Sequence, residues 1–255
     1  MKFSANLGFL WTDLPLPEAV RAAAAAGFQA VEFHWPYDTP LPVLAAVLEE
    51  TGLAVMGLNT VRGDVAKGEF GLAALPGRGA EARAAVDQAV AYGAGLGAGA
   101  VHVMAGRASG PAAHAAFLET LAYACAETAR HGMEVLMEPL NRHDAPGYFL
   151  GTTDQAAAIQ DELGLPNLRI LFDCYHVGRS EGDVVTRAAA LWDRIGHVQI
   201  AAVPDRGPPD HGELDYGHVL RRLADLGQSR PVGAEYRPGG PTEHSLGWLA
   251  AARSF

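Results

Sequence analysis

Hydrophobic and polar positions along this chain repeat on two length scales. Short apolar or β-branched runs recur at residues 3–10, 30–35, 54–60, 100–106, 134–140, 168–176, 195–201 and 232–237, a pattern that predicts eight buried strands. Between them lie longer stretches with helical signals at 17–27, 40–52, 79–97, 111–132, 152–164, 182–196, 216–227 and 242–253. Several open on Pro or a Ser/Thr/Asp cap and close on Gly, the polarity expected of helix ends. Eight such alternations over 255 residues predict an α/β chain folded as a single (β/α)8 barrel domain spanning 1–255, because parallel strands need helical crossovers. An open doubly wound sheet is the second choice, yet NLGFLWTDLP after the first strand holds one glycine and lacks a Gly-rich nucleotide turn. The connection 61–79 has no clear periodicity and exceeds the usual loop length, so it is expected to act as a lid over a site.

Composition narrows the function. With 49% apolar residues the chain can bury a large core, and 19 basic against 29 acidic residues give a formal charge of −10. No segment gathers Lys or Arg into a track for phosphodiester backbones, so nucleic acid is not an expected partner. Cys125 and Cys174 stand far apart without zinc or redox spacing; they are read as small buried hydrophobes in a reduced, cytoplasmic compartment. No apolar stretch has the length of a membrane span or a secretory h-region, so neither export nor a membrane partner is expected. A homo-oligomer is left open.

In a barrel of this kind the C-terminal strand ends form the active face. Glu138 closes the fifth run, Asp173 lies near the end of the sixth, Gln199 in the second half of the seventh and Glu235 near the end of the eighth. Three carboxylates and an amide brought to one point call for a cation, since clustered acids otherwise repel and hold protons. Hard oxygen donors without thiolate favour Mg²⁺ or Mn²⁺, with Co²⁺ or Zn²⁺ as alternatives. Taken singly, each acid is more readily read as a helix cap or an arginine partner, and the joint pattern carries the cation reading. His197 is expected to be a satisfied interior group. His102 and Asn59 are weaker pocket candidates, and Phe9, Trp11 and Trp35 are candidates for an apolar wall.

The segments GEFGLAALPGR, VHVMAG, MEPLNRHDAPGYFL, FDCYH, GHVQIAAVPDRGPPDHGELDY and GAEYRPGGPTEHSLGW together resemble hydroxypyruvate isomerases, members of the xylose-isomerase-like barrels. The likeness runs over nearly the whole chain. It implies that Glu138, Asp173, Gln199 and Glu235 bind the divalent metal, with Glu138 and Glu235 also donating and accepting the proton. By position it implies substrate contacts for His176 and Arg206. Gln199 departs from the wider superfamily, where many relatives carry His, and agrees with the hydroxypyruvate isomerase branch.

The reaction so implied converts hydroxypyruvate to 2-hydroxy-3-oxopropanoate through an enediolate, with a metal-assisted hydride shift as the alternative route. Arg206 is the candidate clamp for the substrate carboxylate, against a surface pairing with Asp205 or Asp210. Rivals on the same scaffold are a 2-oxo-tetronate isomerase and a sugar isomerase or epimerase. A phosphate site at RPGGPTEHS (237–245) and a catalytically silent metabolite-binding barrel rank lower.

Overall fold

The computed structural model describes residues 1–252. Eight parallel strands close in chain order: β1 (Phe3–Asn6), β2 (Ala30–Phe33), β3 (Ala54–Asn59), β4 (Ala100–His102), β5 (Glu134–Met137), β6 (Leu168–Asp173), β7 (Ile195–Ile200) and β8 (Val232–Ala234). Phe3 pairs with Val232, so β8 returns to β1 and the sheet has no open edge. The doubly wound alternative is thereby excluded.

Around the barrel run α1 (Leu16–Ala25), α2 (Leu41–Thr51), α3 (Gly79–Leu96), α4 (Pro111–Ala129), α5 (Thr153–Leu163), α6 (Cys174–Ser180), α7 (Val184–Ala190), α8 (Tyr216–Asp225) and α9 (Gly247–Ala252). Each turns an apolar stripe inward: Leu44, Val86, Phe117, Leu121 and Ile159 are buried completely or nearly so. α5 shows the expected capping chemistry, with the Thr152 hydroxyl accepting from the Gln155 amide at 3.2 Å and Gly164 closing the helix at φ 61°. Inside the barrel, Ala100, Leu136 and Leu171 form a small apolar cluster of their own. Both cysteines are free and buried, and burial pushes the Cys125 thiol up to about 12, which fits the packing role expected of them.

The elements differ from the sequence pattern chiefly at the active end. The run 168–176 does not stay extended: after Asp173 the chain turns into the short helix α6, because the Asp173 carboxylate caps it by accepting from the Tyr175 amide at 2.9 Å. The stretch 182–196 divides into α7 and a 3₁₀ turn at Trp192–Arg194. The stretch 242–253 begins as a 3₁₀ turn before α9, and its last residue, Arg253, lies outside the described residues. The connection 61–79 is less free than a lid. Leu72, Ala73 and Ala74 are buried, and the amides of Ala73 and Ala74 donate to the carbonyls of Met104 and Ala105 at 3.3 and 2.7 Å. Its distal half is thus a packed arm, and the connection brings Arg62 and Phe70 to the rim of a cleft. No helix among the described residues is long and apolar enough to cross a membrane.

Candidate active site

The strand ends enclose a cleft of about 310 Å³ whose walls include Glu138, His176, Arg206, Glu235, His102 and Asn59. It continues inward to a smaller space reached by Glu32, His197 and Gln199. All four residues expected to bind a cation are buried at this end of the barrel, each at most 6% exposed. Asp173 and Gln199 are direct ladder partners on β6 and β7. Glu138 and Glu235 each stand one residue beyond their strands.

Several buried polar atoms here lack a protein partner: Oε1 of Glu138, Oδ2 of Asp173, Oε1 of Gln199 and Nε2 of His176. Unpaired buried groups of this kind are costly and call for a ligand. Donor atoms of Glu138, Asp173 and His176 all lie within 4.8 Å of one another, a grouping compatible with a divalent cation.

Electrostatics separate the three acids. Burial drives Glu138 well above the carboxylate range, reinforced by the charges of Glu235 and Asp173. Burial likewise pushes Asp173 up to about 7 despite Arg206. Glu235 feels the same desolvation, but Arg206 and His34 outweigh it and bring it down to about 2. Its Oε1 accepts from Nη2 of Arg206 at 2.7 Å and lies 3.5 Å from Nε2 of His34.

Arg206 is therefore not a surface residue. It is 8% exposed, lies 3.7 Å from Asp173 and 4.0 Å from Asp144, and sits between the rings of Phe9 and Tyr175. Its backbone is left-handed at φ 59°, which costs roughly 1–2 kcal/mol for a non-glycine residue. Backbone bonds on both sides hold it there, from its own amide to Ala202 and from the Arg237 amide to its carbonyl. Asp205 and Asp210, the surface partners weighed for it, both bond His211 instead.

The histidines are poised by their outer nitrogens. His176 Nδ1 accepts from the Asn141 amide at 3.0 Å, so the proton of the neutral ring sits on Nε2. Burial first, then Arg206, holds His176 down to about 3 and thus neutral. A protonated Nε2 facing Glu138 and Asp173 at 3.8 and 3.7 Å suits a hydrogen-bond donor to substrate better than a metal ligand. His102 is reversed: Nδ1 meets the Asn59 side-chain oxygen at 3.2 Å, which leaves a buried, unpartnered Nε2 as acceptor. Burial holds it neutral, down to about 4.

Sequence reasoning passed over Glu32. This β2 carboxylate, 4% exposed, accepts from Ser4 Oγ at 2.5 Å and Gln199 Nε2 at 2.6 Å, and its Oε1 is 2.9 Å from His197. A carboxylate only accepts, so it takes the NH₂ end of the Gln199 amide and leaves the carbonyl oxygen unpartnered. Gly233 makes room for this group, since a Cβ there would lie 2.4 Å from Glu32 and 2.9 Å from His197. The signal was a lone acid within the apolar run AVEFHW. His34, Asn141 and Asp144 were missed as well. Phe9 and Trp35 do line the cleft. Trp11 does not: it packs against Phe28 and bonds Thr242 and Glu243. In the segment 237–245 weighed for a phosphate, the Thr242 and Ser245 hydroxyls are engaged within the protein.

The family described as xylose isomerase-like TIM barrel matches residues 20–252. A 2-oxo-tetronate isomerase of Cupriavidus necator is 43% identical over 97% of both chains. A hydroxypyruvate isomerase of Escherichia coli is 36% identical over 98% of both. A crystal structure titled AP endonuclease, family 2, from Brucella melitensis superposes with a TM-score of 0.95 at 39% identity, covering 98% of each chain. The 3-keto-D-glucoside 4-epimerase of E. coli shares the fold at a TM-score of 0.82 and 21% identity, over the full length of both chains. The chain is therefore an isomerase that belongs to the xylose isomerase-like TIM barrels, in the group of hydroxypyruvate and 2-oxo-tetronate isomerases.

Proposed function

We propose that the protein is a divalent-cation-dependent isomerase of small α-keto acids, converting hydroxypyruvate to 2-hydroxy-3-oxopropanoate. The observation that carries this reading is the set of buried oxygens on Glu138, Asp173 and Gln199 that have no protein partner at the active end of the barrel. Glu138 and Glu235 face the cleft from the ends of β5 and β8 and are the acid and base available to a bound substrate.

Glu138, Asp173 and Gln199 would hold the cation through their unpartnered oxygens, with Glu235 as the fourth ligand once it is shared with Arg206. Mg²⁺ or Mn²⁺ fits these hard donors best, Co²⁺ or Zn²⁺ less well. When bound, the cation supplies Lewis-acid polarisation of the substrate carbonyl and hydroxyl. Glu138 and Glu235 then take the proton from C3 and return one to C2 across the intervening enediolate. The hydroxyl proton moves from O3 to O2, and His176 Nε2–H and bare His102 Nε2 are a matched donor and acceptor for it. Asn59 keeps His102 in that tautomer, while Arg206 keeps Glu235 ionised and lies beside the substrate.

A four-carbon substrate, 2-oxo-tetronate, is the second reading. A cleft of about 310 Å³ is roomier than a three-carbon acid needs, and the reacting carbons are the same. Initial rates on both acids, with and without EDTA, test the assignment. Turnover of either acid that EDTA abolishes and Mg²⁺ or Mn²⁺ restores supports it, and full activity in EDTA rejects the cation. An endonuclease would need a basic face, which a formal charge of −10 disfavours.

A further inference from the structure

Three arginines line the cleft, Arg62, Arg206 and Arg237, and they differ in what neutralises them. Arg206 is committed. It bonds Glu235 at 2.7 Å and lies within 4.0 Å of both Asp173 and Asp144. An incoming carboxylate there would join three acids around one guanidinium, an arrangement that repels more than it attracts.

Arg62 and Arg237 have no ion pair among the described residues. Arg21, Arg78, Arg187, Arg194 and Arg230 each find a carboxylate; Arg107, Arg142 and Arg179 share the lack of an ion pair among the described residues, but Arg62 and Arg237 alone of these five line the cleft. Arg62 is also held in place. Its guanidinium carbon lies 3.7 Å from the centroid of the Trp35 ring, and Trp35 is fixed by its indole N–H donating to the Thr60 carbonyl at 3.0 Å. Partial burial lowers the Arg62 pKa, with no acid opposing it. Arg237 stands two residues after Glu235, and its backbone amide donates to the Arg206 carbonyl at 2.7 Å, which ties its place at the rim to the catalytic end of β8.

We infer that Arg62 and Arg237 form a carboxylate subsite that seats the acid end of the substrate, with its reacting carbons turned toward Glu138 and Glu235. This rests on the keto-acid reading above and moves the clamp expected at Arg206 to the rim. In hydroxypyruvate and in 2-oxo-tetronate alike, the carboxylate is attached to C2. One subsite thus serves both acids and rejects neutral sugars, while the extra carbon of a tetronate lies beyond C3.

The test uses the Mn²⁺-loaded protein and calorimetric titration with tartronate, an unreactive α-hydroxy acid, and with dihydroxyacetone as a neutral counterpart. Arg62→Met with Arg237→Met should weaken tartronate at least about tenfold, the loss expected for charge-assisted bonds. It should also flatten the dependence of its Kd on salt and leave dihydroxyacetone within about twofold. Equal loss for both ligands, no loss for tartronate, or a wild-type protein that binds no tartronate overturns the subsite. Circular dichroism of each variant separates a folding defect, and Arg62→Lys, which keeps the charge, should restore part of the binding. If tartronate binds through the two arginines yet neither keto-acid is turned over, the subsite stands and the proposed reaction falls. If keto-acids are turned over with unchanged KM in the double variant, the reaction stands and the subsite falls.

Discussion

Strand β5 is bracketed by two glutamates, Glu134 at its start and Glu138 just past its end, and their fates differ. At the N-terminal end of the barrel, Glu134 accepts from Nη2 of Arg230 at 3.1 Å, is bonded again through Nη1, and has Arg169 3.7 Å away. At the other end Glu138 is buried with an unpartnered oxygen, no arginine bonded to it and two other acids close by. Four residues of chain, roughly 13 Å of strand, separate a neutralised charge from a frustrated one. Glu134 is fully paired, whereas Glu138 is buried and left incomplete, even though Glu235 beside it is paired by Arg206.

The widest gap between the two ends is expected in turnover. Glu138→Gln should lower kcat by about 10²–10⁴, the usual worth of a general acid or base, with little loss of Tm because a neutral group of the same size replaces a carboxyl that is costly to ionise where it is buried. Glu134→Gln should leave kcat unaltered. Near-normal rates for Glu138→Gln in steady-state assays would erase the distinction. Next comes the pair of arginines. Arg206→Met strands Glu235 as a buried, unpaired charge and should cost about 3–5 kcal/mol in denaturant unfolding. Arg230→Met, whose own side chain is 52% exposed, should cost about 1 kcal/mol or less. Comparable losses would mean that burial does not set the value of these pairs.

A smaller effect is expected one layer deeper. Glu32→Gln frees the Gln199 amide to turn, and Mn²⁺ affinity measured by electron paramagnetic resonance should fall about 10–100-fold, as for other groups that orient ligands. Unchanged affinity would remove Glu32 from that role. The least effect is on stability against pH. In cation-free protein Asp173 keeps its proton up to about 7, so from about pH 4 to 7 the folded state binds more protons than the unfolded chain, and stability falls as pH rises. Glu235, held down to about 2, works oppositely and only below its unfolded pKa, where its contribution is lost on acidification. The Tm of EDTA-treated protein should therefore decline from about pH 5 to 7.5, and Mn²⁺ should raise it more at the upper end. A decline that Mn²⁺ leaves untouched would show that these acids do not meet the cation.

Much of the fold was legible because its signals are local. Apolar runs and capped helices repeat within the chain, so eight units and a closed barrel follow, together with polar residues at strand ends. The candidate site was legible to the same depth: Glu138, Asp173, Gln199 and Glu235 each end or nearly end an apolar run. Glu32 was hidden because its meaning depends on Gln199, 167 residues away, and nothing local to AVEFHW encodes that contact. Arg206 was ambiguous for a like reason, since aspartates beside it in sequence offered a plausible partner that the fold assigns to His211.

The sequence by itself determined which side chains could reach the active end, because strand periodicity and strand termination are properties of neighbouring residues. Only the tertiary structure decided which acid is neutralised, which keeps its proton, which way an amide faces and which arginines remain without a carboxylate. Those outcomes depend on distances of a few ångströms between residues far apart in the chain, in surroundings dry enough for each such distance to govern charge.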